Sequence, residues 1–226
     1  MRPIDKGIAP HNYSNYSDAR HDLANRIGYY CSYCEMKVYN SIEVEHVLPV
    51  NQQGNPIDWN NFLLSCKYCN TIKSDHNPNL SDYFWPDRDN TDLVFDYEEN
   101  TSVQPKQNLN QLFTVKVKAT INLMGLSRYP GGAAQPTEAD TRWRSKKEVW
   151  DTAKFSLSNW TNAPIPELAN SIALCALSSG HYSIWMKVFE NEQLVLDETD
   201  KIYSTKGLFK QFNPNGVRVI RPQGLI

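Results

Sequence analysis

Two cysteine pairs are the residues of this chain whose types and spacing most clearly predict chemistry. The first pair is Cys31 and Cys34 in Cys-Ser-Tyr-Cys, and the second is Cys66 and Cys69 in Cys-Lys-Tyr-Cys. Each Cys-x-x-Cys turn can present two thiolates to one ion, and two such turns complete the tetrahedral sulfur set of a structural zinc site. The pattern therefore predicts one structural Zn²⁺ held by all four cysteines.

Polar residues of other types lie between and after these pairs. Glu45 and His46 are adjacent, Asn61 lies five residues before the third cysteine, and Asn70 directly follows the fourth. In this order and spacing, residues 31–74 resemble the HNH endonucleases, also called ββα-metal nucleases, in the subgroup with a four-cysteine zinc site. The third letter of the family motif is His or Asn, and Asn70 gives this chain the H-N-N form.

The resemblance implies a role for each of these polar residues. His46 would be the general base, since a neutral imidazole near pH 7 can accept a proton from water. Glu45 and Asn70 would bind the catalytic ion, and their oxygen atoms suit Mg²⁺ or Mn²⁺. Asn61 would hold the loop that orients the histidine. These roles predict metal-dependent hydrolysis of phosphodiester bonds in nucleic acid, with DNA as the expected substrate.

Alternatives to this assignment stay open at the level of sequence. Many relatives have Asp at the position of Glu45, and Glu43 competes for the ion because it shares a strand face with Glu45. The same alternation places His46 on the opposite face, so a bend or a shared metal would have to bring the groups to one phosphate. Asn70 could instead be the N-cap of a helix. A zinc-stabilised module that binds nucleic acid or a partner without catalysis would keep the cysteines and would not need His46.

Composition bounds the class of protein. Of the 226 residues, 40% are hydrophobic and 21% are charged, as in ordinary globular proteins. No apolar run approaches the roughly 20 residues that span a bilayer, and no secretory signal is visible at the start of the sequence. We therefore expect a cytoplasmic protein without a membrane partner, whose thiols stay reduced and bind metal. The fifth cysteine, Cys175, is expected on the buried side of a helix.

Charge is spread unevenly along the chain. The net charge is −2, but residues 104–154 hold nine basic and four acidic residues, which gives +5 there and −7 elsewhere. A basic stretch beside a nuclease motif could follow a phosphate backbone. The alternative is a solvated helix face. The residues predicted to contact nucleic acid are Lys73, Arg142, Arg144, Lys146 and Lys147.

The order of elements predicts an α+β fold: an N-terminal ββα-metal (HNH) nuclease module with zinc knuckles over residues 1–80, then a mostly helical region over residues 81–226 with a basic middle. In the module we expect a helix from Ser17 that ends at Gly28, a hairpin across residues 38–47, a short strand at residues 62–64 and a helix from Asn70. The hairpin turn is expected at Asn40-Ser41.

In the second region, residues 113–123 fit both a strand and one face of a helix, and we favour the helix. A helix is expected over residues 137–159, with Trp143, Val149 or Trp150, and Ala153 facing inward. Another helix should begin near Pro164, where a proline suits the first turn.

A second resemblance covers most of the chain but uses weaker motifs. The length, the early HNH motif and the stretch from Ser183 to Phe189 resemble the HNH component of bacterial anti-phage systems of the Septu and retron-associated kind. In that family the nuclease works with an ABC-type ATPase subunit. The resemblance implies an effector of anti-phage defence that acts with such a partner.

Overall fold

The structure, a computed structural model, describes residues 1–76, 79–215, 217–222 and 224–226. Helices and strands alternate in the first half, and helices dominate the second. The helices are α1 (Ala19–Ile27), α2 (Lys67–Lys73), α3 (Gln111–Met124), α4 (Arg142–Asn162), α5 (Pro166–Ser179), α6 (Tyr182–Val188) and α7 (Gln193–Ser204). The strands are β1 (Glu43–His46), β2 (Phe62–Ser65), β3 (Phe95–Tyr97), β4 (Val103–Pro105), β5 (Gln211–Phe212) and β6 (Arg218–Val219). Along the described chain, no helix has both the length and the apolar composition needed to cross a bilayer.

The pair β1–β2 followed by α2 positions the candidate site. The two strands are antiparallel, with Glu43 opposite Ser65 and His46 opposite Phe62. The chain then turns directly into α2, whose N-cap is Cys66 in extended backbone conformation. Because Asn70 lies inside α2, the alternative that Asn70 caps a helix is wrong. The predicted helix start at Asn70 is also wrong, by about one turn.

The predicted hairpin with a turn at Asn40-Ser41 is wrong. Strand β1 pairs with β2, across a loop of fifteen residues, and not with residues 36–38. Met36 and Lys37 form isolated bridges to Gly180 and Tyr30 instead. The segment before β1 therefore joins the first cysteine turn to the helical region, and the partner of β1 comes from later in the chain.

Each face of the β1–β2 pair borders its own apolar cluster. Val44, Phe62 and Leu64 pack on one face with residues of α1 such as Leu23 and Ile27. The opposite face, which includes Leu63, borders a larger cluster that combines the four cysteines with aromatic residues of the later helices. The cysteine turns thus lie inside the main core, between the strands and the helical region.

The helical region agrees with most sequence expectations. Residues 111–124 are helical, so the preference for a helix over a strand is confirmed, and α5 begins with Pro166 at its first position. Helix α4 begins five residues later than expected, at Arg142, while Val149, Trp150 and Ala153 are buried as predicted. The prediction for Cys175 is wrong, because this cysteine is exposed while its neighbours Ala173 and Ala176 are buried.

Candidate active site and metal centre

The four paired cysteines converge on one point. Their sulfur atoms all lie within 4.8 Å of one another, and all four residues are buried. The Sγ atoms of Cys34 and Cys66 are 3.7 Å apart. Tetrahedral zinc with Zn–S bonds of ~2.3 Å requires sulfur atoms about 3.8 Å apart, so the spacing and the donor type fit Zn²⁺. The predicted four-cysteine cluster is confirmed.

Local backbone hydrogen bonds hold the two cysteine turns against each other. In the first turn the amide of Glu35 donates to the Cys31 carbonyl (3.0 Å), and the amide of Ser32 donates to the Leu64 carbonyl in β2 (2.8 Å). Since β2 leads directly into the second turn, this bond links both pairs. In the second turn Cys66 Sγ accepts the amide of Cys69 at 3.4 Å, which is also the N-cap contact of α2.

The thiols share protons within the cluster. Burial opposes ionisation of Cys31, but hydrogen bonds with the other three cysteines outweigh burial and lower the pKa of its thiol well below the ordinary value. Hydrogen bonding to Cys31 raises the pKa of both the Cys34 and the Cys66 thiols. The raised pKa values oppose ionisation of Cys34 and Cys66, so the positive charge of a bound cation is needed for both to act as thiolate ligands.

His46 lies at the end of β1, on the face opposite α2. Its ring packs edge-on to Phe62 (5.3 Å between centroids) and at a tilt to Tyr16 (5.0 Å). Its Nε2 atom is 3.0 Å from the carbonyl oxygen of Pro56. A carbonyl can only accept, so the neutral ring carries its proton on Nε2, which leaves the lone pair on Nδ1. The contact with Pro56 thus orients this half-buried imidazole, and in the neutral ring it favours Nδ1 as the nitrogen that can accept a proton.

Asn61 fixes the loop that reaches His46. Its Oδ1 atom accepts the Leu48 amide (2.7 Å), and its Nδ2 donates to the carbonyls of Leu48 (2.9 Å) and Asn55 (3.3 Å). Asn55 directly precedes Pro56, whose carbonyl contacts the histidine. The loop also requires Gly54, because a Cβ atom there would collide with the Leu48 carbonyl. This contact pattern agrees with an orienting role for Asn61.

Glu45 is enclosed between β1 and α2. Only 2% of the residue is exposed; its Oε1 atom lies 2.5 Å from Lys73 Nζ, and the Tyr33 hydroxyl donates to Oε2. Burial raises the pKa of the Glu45 carboxyl, while the positive charge of Lys73 opposes that shift. Lys73 also donates to the His46 carbonyl at 2.7 Å. Lys73 itself is 1% exposed and is bonded within the protein, so in this structure its side chain does not form part of the surface that a nucleic acid would meet.

Asn70 contacts the competing carboxylate instead of Glu45. Its Nδ2 atom donates to Glu43 Oε2 at 2.7 Å, and both residues are partly exposed. This bond uses the amide nitrogen of Asn70 and leaves its oxygen, the atom that would bind a hard cation. Between β1 and α2, Asn70 of α2 thus bonds to Glu43 of β1, and Glu45 of β1 pairs with Lys73 of α2. His46 lies on the other side, as strand alternation requires.

The remaining residues predicted to contact nucleic acid divide by burial. Arg142 is 3% exposed and Lys146 is 2% exposed, so both side chains lie inside the protein and not on its surface. Lys146 Nζ donates to the carbonyls of Thr101 and Leu126. Arg144 and Lys147 are exposed, and Lys147 pairs with Asp151 one turn along α4.

Sequence reasoning missed three contacts of the site. It did not identify the Tyr33 hydroxyl or Lys73 as partners of Glu45, nor the Pro56 carbonyl as the partner of His46. No sequence signal marks Tyr33 or Pro56. For the buried cations of α4 a signal exists, because Arg142 and Lys146 precede Val149 and Ala153 at helical spacing and extend the same face.

Comparison with known families agrees with this geometry over one segment of the chain. Residues 31–76 match the family model described as HNH endonuclease. That segment contains both cysteine turns, β1, β2 and α2, together with His46, Asn61 and Asn70. No curated protein matches the chain.

Proposed function

We propose that this protein is a metal-dependent HNH endonuclease that hydrolyses phosphodiester bonds in DNA. The observation that carries the proposal is His46, whose Nε2 atom is held by the Pro56 carbonyl at 3.0 Å inside the segment that matches the family. Phosphodiester hydrolysis needs a base for the attacking water, and Nδ1 of this ring offers the lone pair. Asn61 orients the base through the loop that contains Asn55 and Pro56.

The catalytic ion would be held between β1 and α2. Asn70 and a carboxylate of β1 supply oxygen atoms there, as Mg²⁺ or Mn²⁺ requires. When bound, a divalent ion neutralises charge on the phosphate and stabilises the leaving oxygen. Glu43 is already beside Asn70, whereas Glu45 would bind the ion only after Lys73 releases it. His46 lies on the opposite face of β1 but is the last residue of that strand. The phosphate would therefore have to sit at this end of β1 to meet both the ion and His46, whose Nδ1 would accept the proton of the attacking water.

Cleavage assays of two histidine variants, one at His46 and one at a control position, test the proposal. Purified wild type, His46→Ala and His11→Ala are incubated with supercoiled plasmid, linear duplex and single-stranded nucleic acids, with Mg²⁺ or Mn²⁺. Removal of a positioned base should lower the rate ~10²–10⁴-fold in His46→Ala. His11 has 59% of its side chain exposed, so His11→Ala should cleave like wild type. Equal rates in all three proteins would assign the activity to another group or to a contaminant.

Phosphate contacts are proposed at the two exposed cations of α4, Arg144 and Lys147. Arg144 stacks on Trp143 (5.5 Å) and has no ion-pair partner among the described residues. Replacing both cations with Gln should lower the slope of log affinity against log salt by ~0.9 for each phosphate that is no longer neutralised. Lys201→Gln is the control, since this exposed lysine lies on α7 and pairs with Glu198. An unchanged slope in the double variant would assign both charges to solvent.

We further propose a role in anti-phage defence together with an ABC-type ATPase, on the basis of the second resemblance. Its stretch from Ser183 to Phe189 covers α6 from its second residue to its C-cap, and Ser183, Ile184 and Trp185 are buried. That stretch therefore supports the fold and offers little surface to a partner. Phage infection of cells that express wild type or His46→Ala, with and without a genomically adjacent ATPase, would test the role.

The second candidate function is a zinc-stabilised binding module without catalysis. It is favoured by one observation, the burial of Glu45 against Lys73, which withholds a predicted ligand from the catalytic ion. Binding without cleavage under every metal condition, with equal affinity in wild type and His46→Ala, would support this module over the nuclease.

A further inference from the structure

Arg142, the first residue of α4, is buried against the cysteine cluster. Its guanidinium has five N–H donors, and each has a partner. Nη1 donates to Cys69 Sγ (3.1 Å) and to the Met124 carbonyl (2.8 Å). Nη2 donates to the Gly125 carbonyl (3.1 Å) and to Asp140 Oδ2 (2.7 Å), and Nε donates to Asp140 Oδ1 (2.8 Å).

These partners come from three separate parts of the chain. Cys69 belongs to α2, Met124 and Gly125 form the C-terminal end of α3, and Asp140 lies just before α4. The last carbonyls of a helix have no partner within the helix, and a cation there also balances its dipole. One guanidinium therefore bonds to the last carbonyls of α3, to the carboxylate just before α4 and to a thiol of the metal centre.

The charge of a loaded zinc centre explains why a cation is needed at this position. Zn²⁺ with four thiolates carries a net charge of −2, and burying such a charge is costly unless opposite charges or hydrogen bonds compensate it. Arg142 and Lys146 lie one turn apart on α4 and are both buried, and their positive charges would be attracted to Cys34 and Cys69 once these residues are thiolate ligands. Arg142 is the one whose N–H group contacts a sulfur atom.

We propose that Arg142 is a positioning residue of the zinc centre. Its N–H···S bond stabilises the Cys69 thiolate and thereby the bound zinc. Its bonds to Met124 and Gly125 couple metal binding to the junction of α3 and α4. Zinc binding and the order of that junction therefore support each other, independently of the proposed nuclease activity.

Zinc retention in an arginine series tests the first half of the proposal. Arg142→Gln removes the charge, Arg142→Lys keeps the charge and loses the planar fork, and Arg144→Gln is the matched control on the exposed face of α4. Loss of a hydrogen-bond partner of a metal ligand typically lowers metal affinity 10–100-fold. Zinc transfer to a chromogenic chelator should therefore be easiest for Arg142→Gln and intermediate for Arg142→Lys. Arg144→Gln should match wild type.

A purely structural role would give a different result. If Arg142 only caps α3, both Arg142 variants would melt at lower temperature but bind zinc with the affinity of wild type, and that outcome overturns the proposal. If Arg142→Gln does not fold, Arg142→Lys decides. In the Co²⁺-loaded protein, loss of the N–H···S bond should shift the thiolate-to-metal charge-transfer band. An unchanged band together with unchanged zinc affinity in Arg142→Lys would also overturn the proposal.

Hydrogen exchange tests the coupling. The amides of Gly125 and Leu126 donate to the carbonyls of Asn122 and Ile121 at the end of α3, and they report on that junction. In wild type, zinc removal by a chelator should accelerate exchange at both amides. In zinc-loaded Arg142→Lys, exchange at these amides should already be faster than in zinc-loaded wild type. Exchange that does not respond to zinc in wild type would contradict the coupling.

Discussion

The cysteine centre and the His46 end of the β1–β2 pair border opposite faces of the same two strands, and their polar atoms differ in surroundings. At the cysteine centre the thiols are buried, and the guanidinium of Arg142 and the amide of Cys69 donate to them. At His46 the ring is half-buried and one loop carbonyl holds it. The first region has the donor set of a structural metal site, and the second leaves the Nδ1 atom of His46 without a bond to the loop.

The difference suggests that stability and activity can be changed separately. Substitutions at the cysteine centre should unfold the protein before they reveal anything about cleavage. Substitutions at His46 should change the rate with little effect on folding. Substitutions between the two regions, such as at Glu45, Lys73 and Asn61, should change both the folding stability and the cleavage rate.

The largest effect is expected for Cys66→Ser. Serine can still accept the Cys69 amide at the N-cap of α2, so the variant removes a zinc ligand and keeps the cap. Structural zinc sites contribute roughly 10–16 kcal/mol, as much as the whole stability of a typical domain. Metal analysis should find about one zinc per wild-type chain and far less in the variant, whose cooperative melting should be lost.

Cys175→Ser is the matched control for that experiment. Cys175 is exposed and lies outside the cluster, so its zinc content and melting should equal those of wild type. If Cys66→Ser kept its zinc and its melting temperature, the cysteine centre would not be the stabilising region.

The next largest effect is expected for Lys73→Met. The change leaves the Glu45 carboxylate buried with only the Tyr33 hydroxyl as a partner. Breaking a buried ion pair by removing one partner costs about 3–5 kcal/mol. Denaturant unfolding of the zinc-loaded protein measures this loss. The double variant Glu45→Gln/Lys73→Met should lose less than the sum of the single variants, and strict additivity would show that the two groups do not interact.

An intermediate effect is expected for Asn61→Ala. The variant leaves the amide and the carbonyl of Leu48 without their side-chain partner in a partly buried loop. A buried group left unsatisfied costs about 1–3 kcal/mol. Cleavage should fall as well, because the loop positions the Pro56 carbonyl at His46. Asn60→Ala is the control, since the Asn60 side chain is exposed; loss of stability without loss of rate in Asn61→Ala would limit Asn61 to folding.

The sequence predicted the parts of the site that depend on local spacing. Each cysteine pair lies within one turn, so two short motifs were enough to predict the cluster. The partner of β1 could not be predicted in the same way, because pairing with β2 depends on a long loop held by Asn61 and Gly54. A local turn at Asn40-Ser41 was the simpler and incorrect prediction.

The burial of charged side chains was harder to predict from the sequence than the cysteine cluster. Lys73, Arg142 and Lys146 look like surface cations in the sequence because lysine and arginine are rarely buried. Each is buried because it meets acceptors that come from distant segments, such as Glu45, the Cys69 thiol and the Leu126 carbonyl. Only the helical spacing of Arg142 and Lys146 with the buried face of α4 could have predicted part of this.

The smallest expected effect is a pH dependence at His181, which borders the cysteine centre. Its Nε2 lies 2.9 Å from Ser145 Oγ. Burial lowers the pKa of His181 to about 4; attraction to Glu35 opposes the shift and repulsion by Lys146 adds to it. The unfolded chain binds a proton near pH 6.5 and the native state does not until about pH 4. The contribution of His181 to the unfolding free energy is therefore fully present above pH 6.5 and is lost as the pH falls toward 4.

The variant His181→Asn isolates this contribution. His181 has a φ of +53°, which asparagine tolerates better than most residues, so the backbone can stay in place. Between pH 7 and 5.5, wild type should lose about 1 kcal/mol more than the variant, because only the histidine takes up a proton on unfolding. If the unfolding free energies of wild type and His181→Asn changed by the same amount between these pH values, His181 would bind its proton equally well in the native and unfolded states. The cysteine centre would then be less enclosed than its geometry indicates.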